Sequence, residues 1–486
     1  NYAYGLTMFE NDDLDFYFEE NNPNNKNEYK SVDHYEKYEL RNKTIKIKDV
    51  GDTTYTIKVS KHGPVINDII NHINDKRPIA MDWVYTKLPN KILTVNYKLS
   101  HANSLEEFRE GASLLHAPGL NIMYGDALDN IAWFASGKLY KFNNGVNSRL
   151  ILDGASGADE KIEYLDFSEN PQAINPSWHY VYSANNQPDS IAGMLYPGYY
   201  LPGDRAKRIV QLLETKNDFT KEDVMHMIND VTSTSVQPII QEALKSISKE
   251  KVSDNQKESI EILNNWDGSY QLQSVAPTIY NRFLYEFLTN TYKDEMGKGF
   301  NQFINTQLEK KSILSQIKRD TSVWWDDITT NDVKETKKDI INKSFKNAIE
   351  FLEKQLGNTI DDWTWSKVHT VEYKHPIGEV AMLHNYFNVG PFKIKGGNEV
   401  INNQIFNLDS TGYYKVHAGP STRRVIDFSD IENSMSILPT GQSGNPQSEH
   451  YADQAEKYIN GEFVKMQLNK EAIKASDDKL VFEPKK

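Results

Sequence analysis

Tyr182-Ser183-Ala184-Asn185-Asn186-Gln187-Pro188, followed at short range by Pro202-Gly203-Asp204-Arg205, is the stretch on which the reading of this 486-residue chain turns. The run from His179 to Tyr182 reads as strand-like, and the residues after it set a side-chain amide and a guanidinium a short loop apart. Two fixed donors so placed can meet a negative charge as it develops. That is the task of an oxyanion hole, in which each donor contributes about 3 to 4 kcal/mol to the transition state. Asn-Asn before Pro is equally the chemistry of a turn. The remainder of the chain decides between the two.

Composition narrows the field first. Lys and Arg number 55 against 68 Asp and Glu, a net charge of -13. An acidic chain repels polyanions, so nucleic acid is not an expected partner. No run approaches the roughly 18 apolar residues of a membrane span, and none is expected. Cysteine is absent, which excludes disulfides, thiolate metal sites and Cys nucleophiles. Its absence suits an exported protein, and a periplasmic or secreted location is the expectation. Nothing at Asn1 has the build of a signal peptide. Asn1-Tyr2-Ala3-Tyr4-Gly5 reads instead as the middle of a strand entering a turn, and the natural polypeptide is expected to begin earlier.

In chain order, Asn42 to Val59 alternates polar and apolar residues around Gly51-Asp52, predicting a half-buried hairpin with Tyr55, Ile57 and Val59 on one face. Ile92 to Leu99 reads as a strand. Ser104 to Leu115 reads as a helix, with Glu107 at the capping-box distance from Ser104. A hairpin around Leu128-Asp129-Asn130 is expected over Ile122 to Leu139. From Asp204 the periodicity becomes helical, with Asp223 placed to cap a helix opening at Thr220. Further helices are predicted over Val236–Lys249, Asn255–Asn265, Ala276–Met296, Asn301–Lys318 and Asp332–Gln355. Strands return at Val368–Tyr373, Gly412–His417 and Arg424–Asp427. The order argues for an α+β fold with a sheet core and a large helical insertion: residues 1–203 strand-rich, 204–357 helical, 358–486 returning to the core.

Several separated segments carry one resemblance. They are Tyr2-Ala3-Tyr4-Gly5-Leu6-Thr7, His62-Gly63-Pro64-Val65, Tyr124-Gly125-Asp126-Ala127 with Asn130-Ile131-Ala132-Trp133, Ala184-Asn185-Asn186 and Pro202-Gly203-Asp204-Arg205. Phe387-Asn388-Val389-Gly390-Pro391 with Gly396-Gly397, Gly419 to Arg424 and Pro439 to Pro446 before His450-Tyr451 and Asp453-Gln454 continue the series. In order and nearly from end to end, the chain resembles the β chain of the penicillin acylase family.

The resemblance implies an amidohydrolase of the N-terminal-nucleophile class with a four-layer αββα core, formed when a precursor cuts itself into an α and a β chain. It implies a Ser nucleophile at the start of the β chain, upstream of Tyr2, whose own α-amino group serves as base. An amine with an ordinary pKa of about 7.7 to 8.0 can do that without a His or Asp partner. Asn185 then matches the side-chain donor to the oxyanion and Met8 the position whose backbone N–H is the second donor. Arg205 matches an Arg near the active centre; Leu6 and Leu120 match residues lining the acyl pocket, which favours an aromatic or aliphatic acyl group. The expected substrate is a small acyl amide, such as the side chain of a β-lactam antibiotic. An acyl-homoserine lactone is the alternative within the same fold.

Asp12-Asp13-Leu14-Asp15 is the metal candidate. Two carboxylates three apart with a carbonyl between them offer hard oxygens, of which Ca²⁺ takes about six to eight. The resemblance supplies the Ca²⁺ reading, with Asp12, Asp15 and the Leu14 carbonyl matching and Asp189 added as a further ligand. No organic cofactor is expected. A reading of another class stays open: an exported glycan-binding protein whose 27 Tyr and Trp324-Trp325 form a stacking platform.

Overall fold

Alternation along two strands fixes the architecture of the first part of the chain. In β6 (Leu120–Asp126) and β7 (Ile131–Ser136), successive side chains must point to opposite faces of the sheet. Ile122, Tyr124, Ala132 and Phe134 fall on one face and pack on Val95 and Leu99 of α1 (Ile92–His101) and Phe108 and Ala112 of α2 (Leu105–Ser113). Trp133 and Ala135 fall on the other, against Phe9, Leu139, Leu165, Tyr196 and Tyr200. Both faces are therefore apolar. The sheet runs β1–β6–β7–β11, with β1 (Tyr2–Met8) at one edge and β11 (Gln172–Ile174) at the other, all pairs antiparallel.

This computed structural model describes residues 2–70, 75–189, 193, 195–248, 250, 252–476 and 481–484. Asn1 and Lys249, on which a strand reading and a helix end fell, lie outside the described residues. The chain forms two compact units, Asn1–Leu201 and Pro202–Lys486. In the first, a second sheet sets β2 (Leu14–Phe18) between β9 (Leu152–Asp153) and β5 (Ile79–Trp83). Beside it, β8 (Tyr140–Phe142) pairs with β10 (Lys161–Tyr164).

Three expectations fail here for identifiable reasons. The hairpin is present as β3 (Glu39–Ile47) and β4 (Gly51–Val59), but β3 is exposed along its length and Tyr55 is exposed too. It is a two-stranded ribbon with no third strand paired to it among the described residues, and its half-buried positions are Thr53 and, at its base, Ile57, Lys58 and Val59. Ile92 to Leu99 is the helix α1, not a strand; Val95 and Leu99, four apart, are its buried stripe, and Asn90 caps its start by accepting from the Ile92 N–H at 2.9 Å. His179 to Tyr182 is irregular, with His179 at a φ of 63°. The helix after Ser104 is as expected, although Glu107 reaches back to the Asn103 N–H, at 2.8 Å, and not to that of Ser104.

The second unit is built on α7 (Ala276–Met296), which is buried on nearly every side over its first thirteen residues, as a central helix must be. Phe283 and Phe287 pack with Phe345 of α9 (Lys337–Leu356) and with Trp325, Trp363 and Trp365. Around them lie α3 (Asp204–Leu213), α4 (Lys221–Ile228), α5 (Val236–Ser246), α6 (Asp254–Asn265) and α8 (Gln307–Ile317). The expected single helix over 301–318 is broken at Thr306, whose hydroxyl accepts from the Glu309 N–H and starts α8 afresh. Strands return as β12 (His369–Tyr373), β13 (Val389–Lys393), β14 (Ile405–Phe406) and β15 (Tyr414–Ala418), in the order β13–β12–β15–β14. Thr336 and Asp339 form a complete capping box at the start of α9. Thr336→Ala is expected to cost about 1 kcal/mol in urea unfolding; no measurable loss would show that the cap is redundant.

Candidate active site

The site is assembled on the outer edge of β1. Phe9 donates its N–H to the Gly119 carbonyl at 3.0 Å. Alternate residues of an antiparallel strand turn their amides to opposite sides, so the Met8 N–H faces the edge on which no strand pairs among the described residues. The Met8 carbonyl lies on that same side and accepts from the Asn185 side-chain amide at 3.0 Å. The two expected donors, separated by 177 positions in the chain, are thereby neighbours.

Local chemistry explains why Asn stands at 185. The residue has a φ of 61°, a left-handed conformation that costs most side chains about 1 to 2 kcal/mol and that Asn tolerates. Its own carbonyl accepts from the Leu201 N–H at 2.8 Å, and Asn186 bridges to Leu201. The return strand is tied to the segment after β1 by Tyr199 N–H to the Glu10 carbonyl, at 2.7 Å, and Asp12 N–H to that of Pro197, at 2.9 Å. Gly198 permits this approach, since a Cβ there would lie 2.2 Å from the Glu10 carbonyl oxygen. The Asn-Asn turn and the amide donor of the sequence reading are thus one and the same object.

A residue that the sequence reading passed over holds the arrangement in place. Asn121, buried in β6, donates to the Met8 carbonyl at 3.0 Å and to the Thr7 hydroxyl at 3.2 Å. It accepts from the Trp133 indole N–H at 2.9 Å, and Thr7 is hydrogen-bonded to the Ser183 hydroxyl at 2.6 Å. The signal was visible: an Asn within an apolar strand is disfavoured unless its amide has partners. Asn121→Ala removes one donor from the Met8 carbonyl and orphans the indole. It is expected to lower stability by about 1 to 3 kcal/mol and to lower kcat more than it changes KM; a kcat equal to wild type would confine Asn121 to the core.

Leu6 and Leu120 lie on one sheet face, that of the α1 and α2 helices, a diagonal step apart across β1 and β6. Leu120 is half-buried against that cluster, whereas Leu6 is 49 % exposed, giving the open edge an apolar border. Arg205 belongs to the second unit, in the first turn of α3, where burial pushes its guanidinium below the usual value and Asp204 opposes that fall. Asp204 is itself pushed up to about 6, chiefly by burial.

The metal candidate is differently composed from the expectation. Tyr199 places its hydroxyl 3.4 Å from an Asp12 carboxylate oxygen and 3.4 Å from the Leu14 carbonyl, between two of the three expected ligands. The other Asp12 oxygen accepts from Ser148 at 2.5 Å. Asp15 accepts from the Tyr140 hydroxyl at 2.7 Å and is paired with Lys161 at 3.0 Å. Burial pushes Asp12 up to about 6, which the Ser148 hydrogen bond opposes. Asp189 is exposed, while Asp12 and Asp15 are buried. Among the described residues no three acidic or His side chains gather as a ligand set. Asp12 and one Asp15 oxygen are turned to the protein's own donors, the other Asp15 oxygen is buried without a hydrogen-bond partner, and the described residues by themselves supply too few oxygens to fit an ion that takes six or more.

The fold these elements form is shared with a known hydrolase: thermostable penicillin G acylase from Alcaligenes faecalis superposes with a TM-score of 0.70 over 100 % of this chain and 89 % of its own, at 18 % identity. That is the N-terminal-nucleophile hydrolase fold, of α+β class. The family described as Penicillin amidase matches residues 1–475, and the chain belongs to that family. Among its curated relatives, acyl-homoserine lactone acylase QuiP of Pseudomonas aeruginosa is 25 % identical across 95 % of this chain and 59 % of its own length. Penicillin G acylase of Escherichia coli is 22 % identical across 74 % of this chain and 45 % of its own. The chain spans about half the length of the curated relatives it matches.

Proposed function

We propose that this chain supplies the oxyanion-binding part of an amidohydrolase that cleaves linear acyl amides with an apolar acyl group. One observation carries the reading: the Asn185 amide stands beside the Met8 peptide, whose N–H faces a strand edge left open. The nucleophile in this reading is a family-type N-terminal Ser, which is none of residues 1–486. Its oxygen adds to the amide carbonyl carbon while its α-amino group takes the hydroxyl proton. The carbonyl oxygen, now negative, is held by the Asn185 side chain and the Met8 N–H. Collapse breaks the C–N bond, the amine leaves with the proton, and water then cleaves the ester by the same route in reverse.

Leu6 and Leu120 border the acyl side. The substrates proposed are acyl amides such as β-lactam side chains, with N-acyl-homoserine lactones as the alternative. Self-processing, pairing with an α chain of the same precursor and a periplasmic or secreted location belong to the same reading. The test is release of free amine from penicillin G, a phenylacetylated aromatic amine and a series of N-acyl-homoserine lactones. Turnover of any one, with preference set by acyl size, supports the assignment. Binding without release of amine from all of them would end it.

A further inference from the structure

Asp15 in β2 and Asp82 in β5 are direct cross-strand partners, and both are buried, at 1 % and 5 % exposed. Like charges facing each other across an antiparallel pair repel, and burial away from water makes the repulsion worse. Either a shared proton or a cation between them relieves that repulsion. The Nζ of Lys161, from β10, lies 3.0 Å from one oxygen of Asp15 and 3.4 Å from one oxygen of Asp82, with its side chain 11 % exposed. The same Nζ sits 4.0 Å from the centre of the Tyr140 ring, whose hydroxyl holds Asp15. Lys87 approaches the second Asp82 oxygen at 3.6 Å from the rim.

We propose that Lys161 is a built-in counter-ion that takes the place of a divalent metal, so that the β2–β5 sheet is held by an ammonium group and needs no Ca²⁺. An ammonium suits this position because it balances the facing carboxylates with a single covalently attached charge. Tyr199 completes the replacement on the Asp12 and Leu14 side, where a hydroxyl stands between the two oxygens. The chain thereby gains independence from the supply of a metal at the cost of depending on one side chain.

The test uses the full protein in three forms, wild type, Lys161→Met and Lys161→Arg, with calcium content measured by plasma mass spectrometry and melting monitored with excess EDTA or added Ca²⁺. Wild type is expected to hold substoichiometric calcium and to melt at the same temperature under both treatments. Lys161→Met should melt lower by about 6 to 12 °C, as removal of one partner of a buried ion pair requires, and Lys161→Arg should keep most of the loss from appearing. Stoichiometric calcium in wild type together with a chelator-lowered melting point overturns the proposal, as does a Lys161→Met protein that melts with wild type. Should Lys161→Met not fold, the calcium content and chelator response of wild type and Lys161→Arg decide the matter alone.

Discussion

In the proposed amidohydrolase, Asn185→Ala should lower kcat by about 100- to 1000-fold on any amide turned over, with a circular dichroism spectrum that matches wild type. The loss is expected in kcat because the amide is aimed at charge that exists only once the carbonyl carbon is tetrahedral. Alanine at a φ of 61° also carries backbone strain. Asn185→Gly removes the amide and the strain together, and should be as slow as the Ala variant while melting no lower. Asn185→Asp keeps the turn and presents a carboxylate to the developing anion, so it should be slowest of the three. If the Gly variant keeps a rate within a few-fold of wild type, Asn185 is a turn residue and the proposed chemistry loses its carrier.

His62→Phe should destabilise the protein by about 3 to 5 kcal/mol in urea unfolding near neutral pH, because it strands a buried carboxylate. The His62 ring nitrogens lie 2.8 Å from Glu19 and 3.1 Å from Glu160, and the ring stacks on Tyr17 at 4.0 Å. Phenylalanine keeps the stack and discards the charge. Burial disfavours the charged ring, but the hydrogen bonds to Glu160 and Glu19 outweigh it and raise its pKa above 6.5. A group whose folded pKa is raised contributes stability that is complete below the unfolded value of about 6.5 and fades as pH rises through the folded value. The gap between wild type and His62→Phe should therefore be widest in mild acid and narrow in alkali. A gap independent of pH would mean that His62 acts by packing alone. Gly63 makes the position possible, since a Cβ there would lie 2.1 Å from the Met81 carbonyl oxygen at a φ of 140°. The His62-Gly63-Pro64-Val65 motif is thus a structural turn that holds its imidazole between two carboxylates.

Those elements whose signals are local were readable from the sequence. The β6–β7 hairpin follows from the Leu128-Asp129-Asn130 turn between two largely apolar runs, and α7 spans Ala276–Met296 as its helical pattern indicates. The Thr220 and Asp223 cap was equally plain. Where two periods fit one short run, the reading failed: Ile92 to Leu99 supports a strand or a helix, and only its packing partners Phe108 and Ala112 choose. Thr306 escaped notice because the helical pattern continues on both sides of it. At the site, Asn185 and Met8 were nameable because the resemblance reaches both positions, yet their contact is set by how the chain returns at Gly198. The roles of Asn121 and Lys161 are not legible in the sequence, for they depend on partners far along the chain, Met8 for one and Asp15 and Asp82 for the other.

The open margin of β1 has a wider consequence. A row of outward-facing peptide groups flanked by Tyr4, Leu6 and Met8, each more than a third exposed, is the surface on which proteins glue themselves together. Sealing it with another strand would remove the hazard and bury the Met8 amide with it. In the proposed chemistry, reactivity and colloidal good behaviour therefore pull on the same seven residues in opposite directions, and whatever shields this margin has to leave a gap one carbonyl wide.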